Sequence, residues 1–186
     1  HYFHIWEAGA DWVIADKYPG QMGAGLWYQT GRLTAGDVSQ VGTGGFYVFG
    51  GQRLWGRTSE ASEPDGKSKS VLEVGAGQDA SISAFFQFGV NDSETLRANQ
   101  YFGMGFTGFG LVPGRPADSI GLGMAWAWLN PNVYERSSEL MFQGYYQAQL
   151  FQGTYFQPAV SYIPTPGSSP SLGGAWALTF RITVLF

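Results

Sequence analysis

Large apolar residues alternate with small or polar ones through most of the chain, and the alternation is sharpest in the last fifteen residues. From Leu172 to Phe186, the residues Trp176, Leu178, Phe180, Ile182, Val184 and Phe186 share one parity, and Ala177, Thr179 and Arg181 share the other. A period of two is that of a β-strand, whose successive side chains point to opposite faces. One face of this strand is oily and the other accepts water.

The same division recurs upstream. Ser81 to Asn91 sets Ile82, Ala84, Phe86, Phe88 and Val90 against Ser81, Ser83, Phe85, Gln87, Gly89 and Asn91. Tyr101 to Phe109 sets Phe102, Met104 and Phe106 against Tyr101, Gly103, Gly105 and Thr107. Ile120 to Trp128 opposes large residues to Gly121, Gly123, Ala125 and Ala127, a face so small that something bulky must lie against it. Glu139 to Leu150 places Leu140, Phe142, Tyr146, Ala148 and Leu150 opposite an amide-rich row of Glu139, Gln143, Tyr145, Gln147 and Gln149. Thr154 to Tyr162 does the same with Phe156, Pro158, Val160 and Tyr162 against Tyr155, Gln157, Ala159 and Ser161. Pro158 cannot donate to a ladder and predicts a bulge or an unpaired position.

The first third is less regular. His1 to Glu7 opens as a strand already under way, with Tyr2, His4 and Trp6 opposite Phe3 and Ile5. Tyr18-Pro19-Gly20 predicts a turn, and Gln21 to Gln29 a strand with Met22, Ala24, Leu26 and Tyr28 on one face and Gly23, Gly25, Trp27 and Gln29 on the other. Gly31 to Gly45, rich in Gly, Thr, Ser and Asp, predicts an exposed loop. Phe46 to Trp55 resumes strand character, with Phe46, Val48 and Leu54 on the oily side and Tyr47, Phe49 and Arg53 on the other. Arg57 to Lys69 reads as a charged, solvated loop, and its acids do not follow calcium-loop spacing.

About nine strands result, most of them long enough to cross a bilayer when tilted. Their connections alternate between shorter and longer. Counting back from the C-terminus puts the turns at Gln152-Gly153 and Pro113-Gly114 at its end of the strands, and the loops near Asp92, Asn130 and Pro164 at the other end.

Composition sharpens this picture. The 186 residues are 44% hydrophobic and 17% aromatic but only 13% charged, about half the globular norm, with 28 glycines. Few charges with many aromatics and glycines suit a barrel that meets lipid on one side. The longest apolar runs, such as Met124 to Leu129, fall far short of a spanning helix of roughly twenty residues. A membrane chain of this kind must close as a barrel, because hydrocarbon cannot satisfy open strand edges. A soluble sandwich with a core behind its oily face is the competing reading. Cysteine is absent, which removes disulfides and thiolate-held metals, and ten Lys and Arg at a net charge of -4 form no basic stripe for nucleic acid.

The final strand, ending on Phe186, resembles the closing strand of bacterial outer-membrane proteins, which implies reading by the barrel-assembly machinery. Several further stretches resemble the carbohydrate-selective porins of the OprB type. They are Gly25-Leu26-Trp27-Tyr28-Gln29-Thr30-Gly31, Gln52-Arg53-Leu54-Trp55, Glu139 to Leu150 and Gln157-Pro158, in the order of that family's C-terminal half. The most specific is Gly110-Leu111-Val112-Pro113-Gly114-Arg115-Pro116, running on to Asp118 and Gly121-Leu122-Gly123. The resemblance implies an all-β transmembrane antiparallel barrel of sixteen strands, of which residues 1–186 supply about the last nine as one porin domain, with earlier strands expected before His1. It further implies a bacterial outer-membrane location, contact with outer-membrane lipid, passive diffusion of small carbohydrates and no cofactor, and it allows a homo-oligomer.

Sugars are bound by aromatic faces that stack on C–H surfaces and by amides, carboxylates and guanidinium groups that replace water around hydroxyls. The facing derived above turns Trp27, Tyr47, Arg53, Gln87, Tyr101, Gln143, Tyr145, Gln147 and Arg181 into the lumen, together with Phe85 and Tyr155. Each could equally well fill or hydrogen-bond the wall. No metal site and no catalytic set is expected. Two other classes remain open from sequence: a small barrel hydrolase using His4 with a serine, and a structural or adhesive barrel.

Overall fold

The computed structural model describes residues 2–57, 80–167 and 171–185. They form one sheet of nine antiparallel strands, in chain order throughout: β1 (Phe3–Ile14), β2 (Tyr18–Ala35), β3 (Val38–Gly56), β4 (Ser81–Asn91), β5 (Ala98–Phe109), β6 (Ser119–Leu129), β7 (Ser138–Phe151), β8 (Thr154–Ile163) and β9 (Ala175–Val184). Each strand pairs with its neighbours in sequence, and β1 and β9 are the two edges.

The parity read from the sequence is continuous across the sheet. Leu178 stands opposite Val160, Val160 opposite Gly144, Gly144 opposite Leu122, and Leu122 opposite Phe106, so one face carries these residues from β9 to β5. Phe106 opposes Ala84, and the series continues through Phe86, Phe88 and Val48 to Leu26 and Trp6. Nothing in the described chain covers this face. Leu122 is 67% exposed and Ile182 69%, while the sole buried apolar residue among the described ones is Ala159, on the other face. Among the described residues the sheet is a single layer whose oily side packs against no second sheet, unlike a sandwich.

Aromatic residues mark both margins of the oily face. Toward the β6–β7 connection lie Trp126 and Trp128, stacked with ring centroids 4.3 Å apart, and Tyr162 against Trp176 at 4.6 Å. Toward the other margin lie Trp12, whose Nε1 donates to Gln52 Oε1 at 2.7 Å, and Tyr146. Trp and Tyr at both margins, with a zone between them that holds Phe86, Phe106 and Phe142 beside its aliphatic residues, are the pattern of a spanning barrel, where amphipathic rings settle at headgroup depth.

Three local expectations need correction. The turn expected at Tyr18-Pro19-Gly20 lies instead at Ala15-Asp16-Lys17, with Ala15 and Asp16 both at φ 52°, so β1 runs on to Ile14 and Pro19 pairs with Val13 inside β2. Where the β2–β3 ladder ends, the Gln52 side-chain amide donates to the carbonyls of Tyr18 and Pro19 and so satisfies them.

The loop expected over Gly31 to Gly45 is a β-ribbon. Leu33 pairs with Gln40 and Ala35 with Val38 around a two-residue Gly36-Asp37 turn, in which Gly36 holds φ 58°. Gly-Asp between extended residues is itself a hairpin signal. A register shift between Gln29 and Arg32, with Gly31 at φ 103°, marks where the ribbon joins the main part of the β2–β3 ladder.

Connection lengths do not alternate simply. The turns at Ala15–Lys17, Val112–Arg115 and Gln152-Gly153 share one end of the sheet, but so does the longest connection, between Gly56 and Ser81. The Arg57 to Lys69 expectation falls almost wholly outside the described residues. Pro158 sits within β8 opposite Phe180 without a bulge on that side. Toward β7 the register passes from Tyr145 opposite Ala159 to Ala148 opposite Phe156 with no paired position at Pro158, as its missing N–H requires.

Candidate functional site: the inner face of the wall

The face opposite the oily one gathers all of the candidate site residues. Trp27, Tyr47, Arg53, Phe85, Gln87, Tyr101, Gln143, Tyr145, Gln147, Tyr155 and Arg181 occupy positions of one parity, linked strand to strand by register. They do not converge on a single point but are spread over the inner face from β2 to β9.

Their shape comes from the glycines between them. Tyr145 lies over Gly121 and Tyr47 over Gly25, each ring occupying the space a Cβ would need. Phe85 covers Gly105, where a Cβ would meet Cε1 at 2.7 Å, and Trp27 covers Gly45. Small residues on one strand thus let the large residue of the next lie along the wall instead of standing into the lumen. Tyr145 is such a bulky partner for Gly121, the first residue of the small face on β6.

Hydrogen bonds hold the polar members in place. Tyr47 Oη donates to Glu7 Oε2 at 2.5 Å, spanning three strands. Gln87 Nε2 donates to Tyr101 Oη at 3.0 Å, Gln143 Nε2 to Ser161 Oγ at 2.8 Å, and Tyr145 Oη shares a 3.1 Å bond with Thr107 Oγ1. Arg181 stands opposite Gln157, and Gln147 opposite Ser119. Arg53, opposite Ser83, reaches a basic hollow of about 150 Å³ with Lys17, Arg57 and Asp16 at the turn end. A larger hollow of about 320 Å³ is sunk into the inner face beside Phe49, Phe85 and Phe109.

Reasoning from sequence overlooked Glu7, Gln21, Phe49, Thr107 and Phe109 as site members. Parity already placed Phe49 inward, but the register that joins Glu7 to Tyr47 through Gly25 cannot be read from one strand. His4 lies on the oily side, its ring parallel to Trp6 at 5.8 Å, away from the inward hydroxyls of Ser81, Ser83 and Ser161. That placement gives the hydrolase reading no support.

The Pro-Gly-Arg-Pro segment has a structural role. Arg115 Nε donates to Asp118 Oδ2 at 2.6 Å and Arg115 Nη2 to Oδ1 at 3.2 Å. Asp118 also accepts the Tyr146 hydroxyl and, at 2.9 Å, the Gln149 N–H, while Arg115 Nη2 donates to the Gln149 carbonyl at 3.2 Å. Burial pushes the Asp118 carboxyl up, but its bonds from Arg115, Tyr146 and Gln149 outweigh burial and hold it below the ordinary range. At the opposite end Asp92 accepts from the Gly44 N–H at 2.9 Å and the Thr43 hydroxyl at 2.8 Å, and these bonds lower its pKa. Asn130 binds the Ser93 and Leu96 carbonyls, tying the β4–β5 and β6–β7 loops together.

A single-layer antiparallel meander with an uncovered oily face, aromatic margins and a polar, aromatic inner face is of the transmembrane β-barrel type. The chain belongs to the OprB family of carbohydrate-selective porins, whose family model matches residues 4–186. In fold it is similar to Pseudomonas putida OprB, solved at high pH, with a TM-score of 0.74 at 19% identity. The likeness covers 98% of this chain and 48% of that one, so the chain spans about half its length. Among curated proteins none matches. The family and the fold are those of a transport channel rather than of an enzyme.

Proposed function

We propose that these nine strands form part of the wall of a bacterial outer-membrane porin through which small carbohydrates diffuse passively, without a covalent step or cofactor. The observation that carries this reading is the contrast between the two faces. One is apolar and uncovered, and the other presents amides, hydroxyls, arginines and flat aromatic rings in register. Lipid is the partner of the first face and sugar of the second. The pore-lining set is Trp27, Tyr47, Arg53, Gln87, Tyr101, Gln143, Tyr145, Gln147 and Arg181.

The edges at β1 and β9 cannot remain open in hydrocarbon. Further strands must therefore complete the barrel, and residues 1–186 act as one continuous domain within it. The C-terminal strand serves as the element read by the barrel-assembly machinery. Its last residue, Phe186, lies outside the described residues. A homo-oligomer would form through the oily face.

Swelling of liposomes carrying the purified protein tests the proposal. Glucose and similar small sugars are expected to enter faster than amino acids or ions of equal size. Equal rates would overturn sugar preference and leave a general pore, whereas no swelling and no salt conductance would overturn the pore itself.

A further inference from the structure

The 320 Å³ hollow has a definite origin in the register. Gln21, Gly51, Phe85, Gly105 and Gly123 stand side by side on β2 to β6, so three of five consecutive inner positions lack a side chain. The wall is therefore dished at this row. Phe85 lies over Gly105 and Phe49 over Gly23, each with one ring face against backbone. Both rings line the hollow, and both are half-buried, so the opposite ring faces are open to it.

The surround is neutral. Gln21, Gln87 and Ser83 contribute polar groups, Phe109 adds a third inward ring, and among the described residues no ionisable side chain lines the hollow. A charged solute would lose hydration there without gaining a counter-charge. A flat apolar floor with amides at its edge favours a neutral molecule that has an apolar face and polar edges. A pyranose with its hydroxyls equatorial has that form, since its axial C–H bonds make two apolar faces and its hydroxyls project outward. An open-chain polyol of the same composition has no fixed face to stack.

We propose that the Phe49–Phe85 hollow is a stacking subsite for neutral pyranoses with equatorial hydroxyls, and that it separates them from acyclic polyols of similar size. The assignment rests on the pore reading above and adds to it a position and a stereochemical preference. Gly105 and Gly23 belong to the subsite because they set the rings flat. Gln87 contributes a donor and an acceptor, although its bond to Tyr101 Oη at 3.0 Å engages one amide hydrogen.

The test uses the full chain in planar bilayers, reading the reduction of salt current by added glucose and, separately, by mannitol. Phe85→Leu and Phe49→Leu keep apolar volume but remove the flat ring, and Phe85→Tyr retains it. Glucose is expected to bind about three- to tenfold more weakly in each Leu variant and near the parent level in Phe85→Tyr, the range for one aromatic contact. Mannitol block should be weak in the parent and unchanged throughout. Salt conductance retained in each variant reports an intact channel. The subsite is overturned if conducting Leu variants bind glucose as the parent does, or if glucose and mannitol weaken equally. A parent that conducts salt but shows no glucose block overturns it too, while leaving the pore in place. A parent without conductance removes the pore reading and the subsite together.

Discussion

Asp118, 3% exposed, accepts four hydrogen bonds, two of them from Arg115 three residues earlier, and through the other two it fastens the β5–β6 turn to Tyr146 and Gln149 of β7. The stretch that carries the most specific family likeness is thus a latch at the barrel rim. Its work is to fix a turn against the next hairpin, where Tyr146 keeps its ring on the oily face and its hydroxyl on a carboxylate.

A latch built on an ionised carboxylate has a pH dependence of known sign. The folded-state pKa of Asp118 lies below its ordinary 3.8. Its contribution is therefore fully present above that ordinary value and is lost as pH falls through the lower, folded value. Asp118→Asn should lower stability by about 1–3 kcal/mol at neutral pH, the cost of leaving buried partners poorly matched. The gap between parent and variant should narrow below pH 4. Urea unfolding in lipid vesicles at pH 7 and pH 3 measures both. A gap of the same size at the two pH values would show that the carboxylate charge does not contribute.

Gly121 and Tyr145 make a second prediction. Opposite one another on β6 and β7, they form a pair in which one residue has no side chain because the other's ring fills its place. Gly121→Ala forces the ring off the wall, breaks its bond to Thr107 and swings it into the lumen. Single-channel conductance should fall in Gly121→Ala and recover in Gly121→Ala combined with Tyr145→Ala. Stability should move less, because the end of a flexible side chain can give way into open space. The double variant distinguishes this from a general effect of adding a methyl group.

How much of this was open to a reader of the sequence follows from the range of each interaction. Facing was legible because side-chain direction has a period of two, and a single strand such as Ser81 to Asn91 carries the whole signal. Arg181 could be turned inward on that basis alone, and Arg53 with the added argument that an arginine facing lipid is costly. The Gly31 to Gly45 ribbon was hidden because its residues are individually loop-like, and only Gly36-Asp37 marks the hairpin. Glu7 beneath Tyr47, the dished row through Gly51, Gly105 and Gly123, and Asn130 beneath the Ser93 carbonyl all depend on register between strands. Register is set by every pair along a ladder at once, so no local window contains it.

The oily face permits a test that separates lipid exposure from mere surface exposure. Leu122, 67% exposed, is the fourth of the eleven residues of β6 and lies on that face, while its neighbour Gly123 belongs to the inner one. If the face meets water, Leu122→Arg exchanges one exposed side chain for another and should change stability by less than about 0.5 kcal/mol. If it meets a bilayer, the charge has to be carried into hydrocarbon and costs more than that, up to the about 2–4 kcal/mol of a midplane position. Thr179→Arg is the matched control, since Thr179 lies opposite Ala159 on the inner face, where a guanidinium can stay wet. Reversible unfolding in phospholipid vesicles is expected to show a large loss for Leu122→Arg and little for Thr179→Arg. The reverse ranking would mean that the two faces have been assigned the wrong way round, and equal small effects that neither face meets lipid.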